Sequence, residues 1–220
     1  MSINIIYEDN YFIAINKDAG IEVDNNLIKL IKENYNGIQN LYLVHRIDKY
    51  TSGIVILAKD ENTKKYFEEA FKNRKINKIY HAIVEGVIKN YKGTIDISIG
   101  KDGKNPNKRI PLSVKFGGEN AITNYKVLKK LKDHTFLELN PITGRTHQIR
   151  VHLSYIGHPI IGDKIYSKNA KIYKMSCFAL IAKEIHFIHP ITKNKIDIIA
   201  EYNKEFLSRL KLLSGKTAGK

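Results

Sequence analysis

The chain opens with two short apolar runs, residues 3–7 and 12–16, on either side of Asp9-Asn10. Runs this short around a turn signal predict a hairpin. Lys17-Asp18-Ala19-Gly20 reads as a turn. Leu27 and Ile31, four apart, predict a short helix ending near Asn36-Gly37. Leu41 to Val44 and Ile54 to Ala58 read as strands, separated by the polar, turn-rich segment His45 to Gly53. Asp60 is placed to cap a helix running through Arg74, with Tyr66, Phe67, Ala70 and Phe71 on one face.

Further on, Lys78 to Glu85 alternates Ile79, His81, Ile83 and Glu85 against Tyr80, Ala82 and Val84, a strand pattern. Thr94 to Ile99 is another strand, and 100–118 reads as a loop. Ala121 to Leu131 and Thr135 to Leu139 predict a hairpin around Asp133-His134. After the turn Pro141 to Gly144, Thr146 to Tyr155 predicts a helix, with Ile149, Leu153 and Ile156 in one stripe. Phe178 to Phe187 and Lys195 to Tyr202 are strands joined near His189-Pro190, and Asn203 caps a last helix carrying Phe206, Leu207 and Leu210. Strands predominate and most neighbours are joined by short turns. The expected class is α+β: a mixed, largely antiparallel sheet flanked by a few helices. With no repeat and no linker, a single catalytic-size domain over 1–213 is expected, followed by a disordered tail at 214–220.

Composition narrows the classes. Hydrophobic residues at 43% and charged residues at 27% exclude a disordered chain. The apolar runs are too short to cross a bilayer, and the N-terminus lacks the cationic start of a signal peptide, so a cytoplasmic protein is expected. Cys177 is the only cysteine, which excludes an internal disulfide and a cysteine-based zinc site. Its apolar surroundings read as a buried small hydrophobe. The 37 basic against 22 acidic residues leave a net charge of +15. Such an excess points to a polyanionic partner, nucleic acid above all, with solubility or compositional drift as the competing explanation.

Few residues carry candidate chemistry. Asp48 sits in the polar segment between two apolar strands, and the Thr51-Ser52-Gly53 that follows favours a tight turn. A fixed carboxylate there can be a nucleophile or a base; taken locally, an ordinary loop aspartate paired with arginine fits as well. In Pro141 to His152, Arg150 and His147 would share a helix flank able to meet phosphates or a carboxylate, or simply to be solvated. His147 and His152 are five apart, a poor spacing for one metal, and no metal site is expected. Tyr80 alone reads as a core or edge aromatic.

Longer motifs change this picture. His45-Arg46-Ile47-Asp48-Lys49-Tyr50-Thr51-Ser52-Gly53 resembles the HRLDxxTSG motif of the RluA family of pseudouridine synthases, with Ile47 in place of the commoner Leu. Lys78 to Gly86 resembles that family's tyrosine motif, Pro141 to His152 its PxTGRxHQIRxH motif, and Gly157 to Asp163 the stretch that follows. Ile5 to Gly20 resembles its first hairpin, with Asp18 where Pro is more usual. The resemblance runs in order from about residue 3 to 202.

The resemblance implies an enzyme that flips a uridine out of RNA, cleaves N1–C1′, turns the uracil and rejoins it through C5, with no cofactor. It implies Asp48 as the catalytic aspartate, by attack on C1′ or by first removing a ribose proton. It implies Tyr80 as the tyrosine that stacks on the uracil, Arg150 as the arginine paired with the aspartate, and Arg46 near the flipped nucleotide. Thr51, Arg145 and His147 join Arg46 as expected substrate-binding positions. The RNA would be ribosomal, transfer or both, bound by a monomer with no protein partner. With only about 44 residues ahead of the first motif, no S4 RNA-binding domain is expected, and the basic 100–118 segment is the candidate for further RNA contacts. The competing class is an idle RNA-binding or ribosome-assembly module on the same fold.

Overall fold

The computed structural model describes residues 3–35 and 37–215. The chain divides into two compact units, Met1–Lys78 with Ile181–Tyr202, and Ile79–Leu180 with Asn203–Lys220.

In the first unit, β1 (Asn4–Glu8) and β2 (Phe12–Lys17) form the expected hairpin, tightened by Asp9, whose carboxylate accepts from the Tyr11 and Phe12 N–H groups. Helix α1 (Asn25–Asn34) is capped by Asp24 and buries Leu27 and Ile31. A short β3 (Tyr42–Leu43) precedes β4 (Ser52–Ala58), the most buried strand of the unit. Helix α2 (Glu61–Lys72) starts at Asp60, whose side chain accepts from the Thr63 N–H.

The second unit begins within β5 (Asn77–Glu85) and adds β6 (Lys92–Asp96), β7 (Ile99–Lys101), β8 (Arg109–Pro111), β9 (Ile122–Lys130) and β10 (His134–Pro141). Strands β5, β10, β9 and β6 pair antiparallel in that order, and β7 and β8 make a separate ribbon. Helix α3 (Gln148–Tyr155) packs on β9 and β10.

The chain returns to the first unit along β11 (Leu180–Ile188) and β12 (Lys195–Ile199). Strand β4 pairs antiparallel with β2, with β3 at one end of its other edge and parallel with β11 at the other end, so this sheet is mixed. Phe12, Phe67 and Phe187 meet edge-to-face in its core. Helix α4 (Lys204–Leu213), capped by Asn203, belongs to the second unit and buries Phe206.

The class is α+β, as the patterning predicts. Among the described residues, no helix is long and apolar enough to cross a membrane.

Several local expectations change. The strand predicted at Thr94 to Ile99 is broken: β6 lies in the main sheet of its unit and β7 turns away to pair with β8, so the supposed loop 100–118 contains most of a ribbon. Strand β5 does not alternate, because residues 81–84 are all buried. Helix α1 ends at Asn34; Asn36 lies outside the described residues. Of the predicted tail, Ser214 and Gly215 close α4 with N–H bonds to Leu210, Lys211 and Leu212 carbonyls, and 216–220 lie outside the described residues.

Candidate active site

The Asp48 segment is the loop of the β3–β4 hairpin. Val44 and Ile47 are buried and pin it to the core, Arg46 is exposed, and Asp48 is half-buried. The Thr51 N–H donates to the Asp48 carbonyl at 3.0 Å, closing a tight turn, and Thr51 itself is buried. Because β3 stops at Leu43, the Ile56 N–H has no strand partner on that edge. The His45 side chain takes the place of one, its Nε2 accepting from Ile56 N at 2.9 Å while the ring lies on Phe71. Burial, with the nearby Lys78 charge, holds the His45 pKa down to about 3, so the ring stays a neutral acceptor.

The first hairpin reaches the same loop. Lys17 is 1% exposed, and its ammonium donates to the carbonyls of Asp18 (2.9 Å), Ile21 (2.8 Å) and Lys49 (3.1 Å). In register it stands opposite Gly53, whose φ of +108° and close approach to the Ala182 backbone admit no side chain. The loop that carries Asp48 is therefore held by backbone carbonyls, a buried cation and a glycine, all in one unit.

Tyr80 lies on β5 opposite Leu139 of β10, half-buried. Arg145, His147 and Arg150 come from one stretch, but His147 and Arg150 do not share one helix flank as the periodicity suggests. His147 has a left-handed backbone (φ 58°) and α3 starts only at Gln148. The reason is Gln148. Its Oε1 accepts from Thr143 Oγ1 (2.7 Å) and Arg145 N (2.9 Å), and its Nε2 donates to Ile122 O (2.9 Å) and Thr123 Oγ1 (3.0 Å). A buried polar group with both ends satisfied fixes the turn more tightly than the stripe of Ile149 and Leu153 does. His152 continues the network to Thr123 Oγ1 and the Ile97 carbonyl, and burial lowers its pKa.

The first six residues of α3, Gln148 to Leu153, are all buried. Arg150 is therefore not on a solvated basic face. Its Nε and Nη2 donate to Asp163 at 2.7 and 3.0 Å, and its guanidinium lies over the rings of Phe178 and Tyr166 at 4.4 and 4.9 Å. Arg145, by contrast, is at the surface, in an ion pair with Glu119 at 2.7 Å. His147 Nδ1 is 2.8 Å from the Tyr166 hydroxyl, which accepts from the Arg109 N–H. Arg46, Asp48 and Thr51 thus share the first unit, and Tyr80, Arg145, His147 and Arg150 the second. Sequence reasoning passed over Lys17, Gln148, Asp163 and Tyr166. Lys17 and Asp163 lie inside motif stretches and Gln148 beside a candidate, but their role depends on partners far along the chain.

Similarity to known proteins gives the class, an RNA-modifying enzyme. The sequence model of the RNA pseudouridylate synthase family matches residues 11–155. The chain is 37% identical over 206 residues to the uncharacterized RNA pseudouridine synthase YhcT of Bacillus subtilis, covering 88% of this chain and 67% of that protein. It is 36% identical over 221 residues to the ribosomal large subunit pseudouridine synthase D of Borreliella burgdorferi, covering 93% and 67%. The solved structure of human RNA pseudouridylate synthase domain containing 4 superposes with a TM-score of 0.80 at 26% identity, covering 96% of this chain and 92% of that one. The chain belongs to the RNA pseudouridylate synthase family, and it is an RNA pseudouridine synthase.

Proposed function

We propose that the reaction runs on the carboxylate of Asp48. The observation that supports this reading is the build of its loop: the side chain stands on a turn closed by Thr51 and fastened by Lys17 and His45, so the backbone that carries it is fixed. A target uridine leaves its stack, at a cost of a few kcal/mol that differs with its pairing. Asp48 then promotes cleavage of N1–C1′, by attack on C1′ or by removing a ribose proton. The uracil turns, C5 bonds to C1′, C5 loses its proton and N1 gains one, so substrate and product are isomers. Tyr80 offers its ring to the uracil, a contact worth about 1–3 kcal/mol. Arg150 supplies the guanidinium that steadies the carboxylate. Arg46, Arg145 and His147 contact the RNA, and Thr51 serves the turn.

The substrate is ribosomal or transfer RNA. The names of relatives such as ribosomal large subunit pseudouridine synthases C and D favour the large ribosomal subunit. The whole of 1–213 acts as one catalytic domain, as a monomer in the cytoplasm.

The test is Asp48→Ala, assayed by tritium release from C5 of uridine-labelled RNA. Loss of release with RNA affinity within a few-fold is expected. Release at the parent rate would sink the assignment of Asp48.

A further inference from the structure

Arg150 is a buried cation, 4% exposed, and Asp163 is fully buried. A buried guanidinium is stable only when its charge and its donors are met. Asp163 meets both. Its Oδ2 accepts from Arg150 Nε at 2.7 Å and its Oδ1 from Nη2 at 3.0 Å, the two-bond fork that fixes a guanidinium in its plane. The carboxylate is itself fixed, since Oδ1 also accepts from the Ile165 and Tyr166 N–H groups at 3.0 and 3.3 Å. The Phe178 and Tyr166 rings also lie against the guanidinium, with centroids at 4.4 and 4.9 Å.

The chain delivers Asp163 to this point by a second set of contacts. Residues 158–161 run beside β5: His158 Nδ1 donates to the Glu85 carbonyl at 2.8 Å, Glu85 N to Pro159 O at 2.9 Å, and Ile161 N to Ile83 O at 3.1 Å. Gly162, with φ +78° and backbone packed close to Cys177 and Met175, then turns the chain so that position 163 faces α3. The strand that carries Tyr80 is thus also the rail that sets Asp163.

We propose that Asp163 is a positioning residue of the synthase, holding the Arg150 guanidinium at one angle through the reaction. The inference rests on the reading of Arg150 as part of the catalytic machinery. A fork whose carboxylate is itself fixed sets where the guanidinium points, and misplacement by about 1 Å can slow a reaction roughly 100-fold.

Two variants test it. Asp163→Asn keeps the shape and removes the charge. Asp163→Glu keeps the charge, which is all that a structural counter-ion needs, and pushes the guanidinium out of place. Single-turnover tritium release, RNA affinity and the thermal melt are measured for both. The expected result is a folded Asp163→Glu protein whose rate falls at least about 30-fold while RNA affinity stays within threefold. Parent-like rates in Asp163→Glu would overturn the proposal, and so would failure of both variants to fold, which would make the pair purely structural. Asp48→Ala, run alongside, separates the two readings: if it retains activity the enzyme reading of the site fails, whereas an inactive Asp48→Ala with a fully active Asp163→Glu removes only the role of Asp163.

Discussion

The ammonium of Lys17 donates to the carbonyl of Lys49, one residue past Asp48, at 3.1 Å. The same group closes the turn after β2 by donating to Asp18 and Ile21, so one buried cation ties the first hairpin to the Asp48 loop. Replacing Lys17 with Met removes three donors from carbonyls in a site with little water. Lost hydrogen bonds of this kind cost about 1 kcal/mol each, so urea unfolding should show a loss of about 3 kcal/mol. The rate of tritium release should fall more than RNA affinity does, because the loop moves while the basic surface does not.

His45 makes stability pH-dependent in a defined window. Folded, it is held neutral down to about pH 3; unfolded, it protonates near its ordinary value of about 6.5. The unfolded chain therefore gains protons first as the pH falls. The stabilising contribution is complete above pH 6.5 and drains away between there and pH 3. From pH 6.5 to 5 the loss should be roughly 2 kcal/mol. His134 and His152 are also lowered, burial being the larger cause in each. The difference between the parent and His45→Gln in urea titrations at the two pH values isolates His45. Parallel profiles in parent and variant would contradict this account.

Gly53 lies where β4 meets β11 in parallel, with Ala182 directly beside it. A Cβ there would run into the Ala182 carbonyl, on a backbone angle that L residues avoid. Gly53→Ala should destabilise the fold by at least about 3 kcal/mol, read as a fall in melting temperature.

The segment 102–118 carries Lys104, Lys108 and Lys115 on the β7–β8 ribbon and the turn after it. If these lysines contact phosphates, replacing all three with Ala should make the plot of log affinity against log salt shallower by about 2. The rate at saturating RNA should be unchanged. Arg109 is left in place because its guanidinium donates to the Pro106 and Lys108 carbonyls within the ribbon.

Much of the fold was legible along the chain. Helix α2 was readable because its cap, Asp60, and its buried residues Phe67 and Ala70 all lie within a few turns of one another. The β1–β2 hairpin was readable for the same reason: the signal is local. The candidate residues Asp48, Tyr80 and Arg150 came from contiguous motifs, which need no tertiary information to be recognised. What periodicity got wrong was also informative. It assigned His147 to a helix and Arg150 to a polar flank, because a count of apolar spacing does not register a buried glutamine that bonds four groups.

On its own, then, the order of residues determined the α+β class, the main elements and the family motifs, since each depends on neighbours within a turn or a hairpin. Tertiary structure alone decided that Lys17 holds the loop after Asp48, that Gln148 forces His147 into a left-handed turn, and that Arg150 is forked by Asp163 beside two rings. Those facts arise from burial. Once a charge or an amide is taken out of water it must find its partner inside the protein, and only the packed chain determines which group that will be.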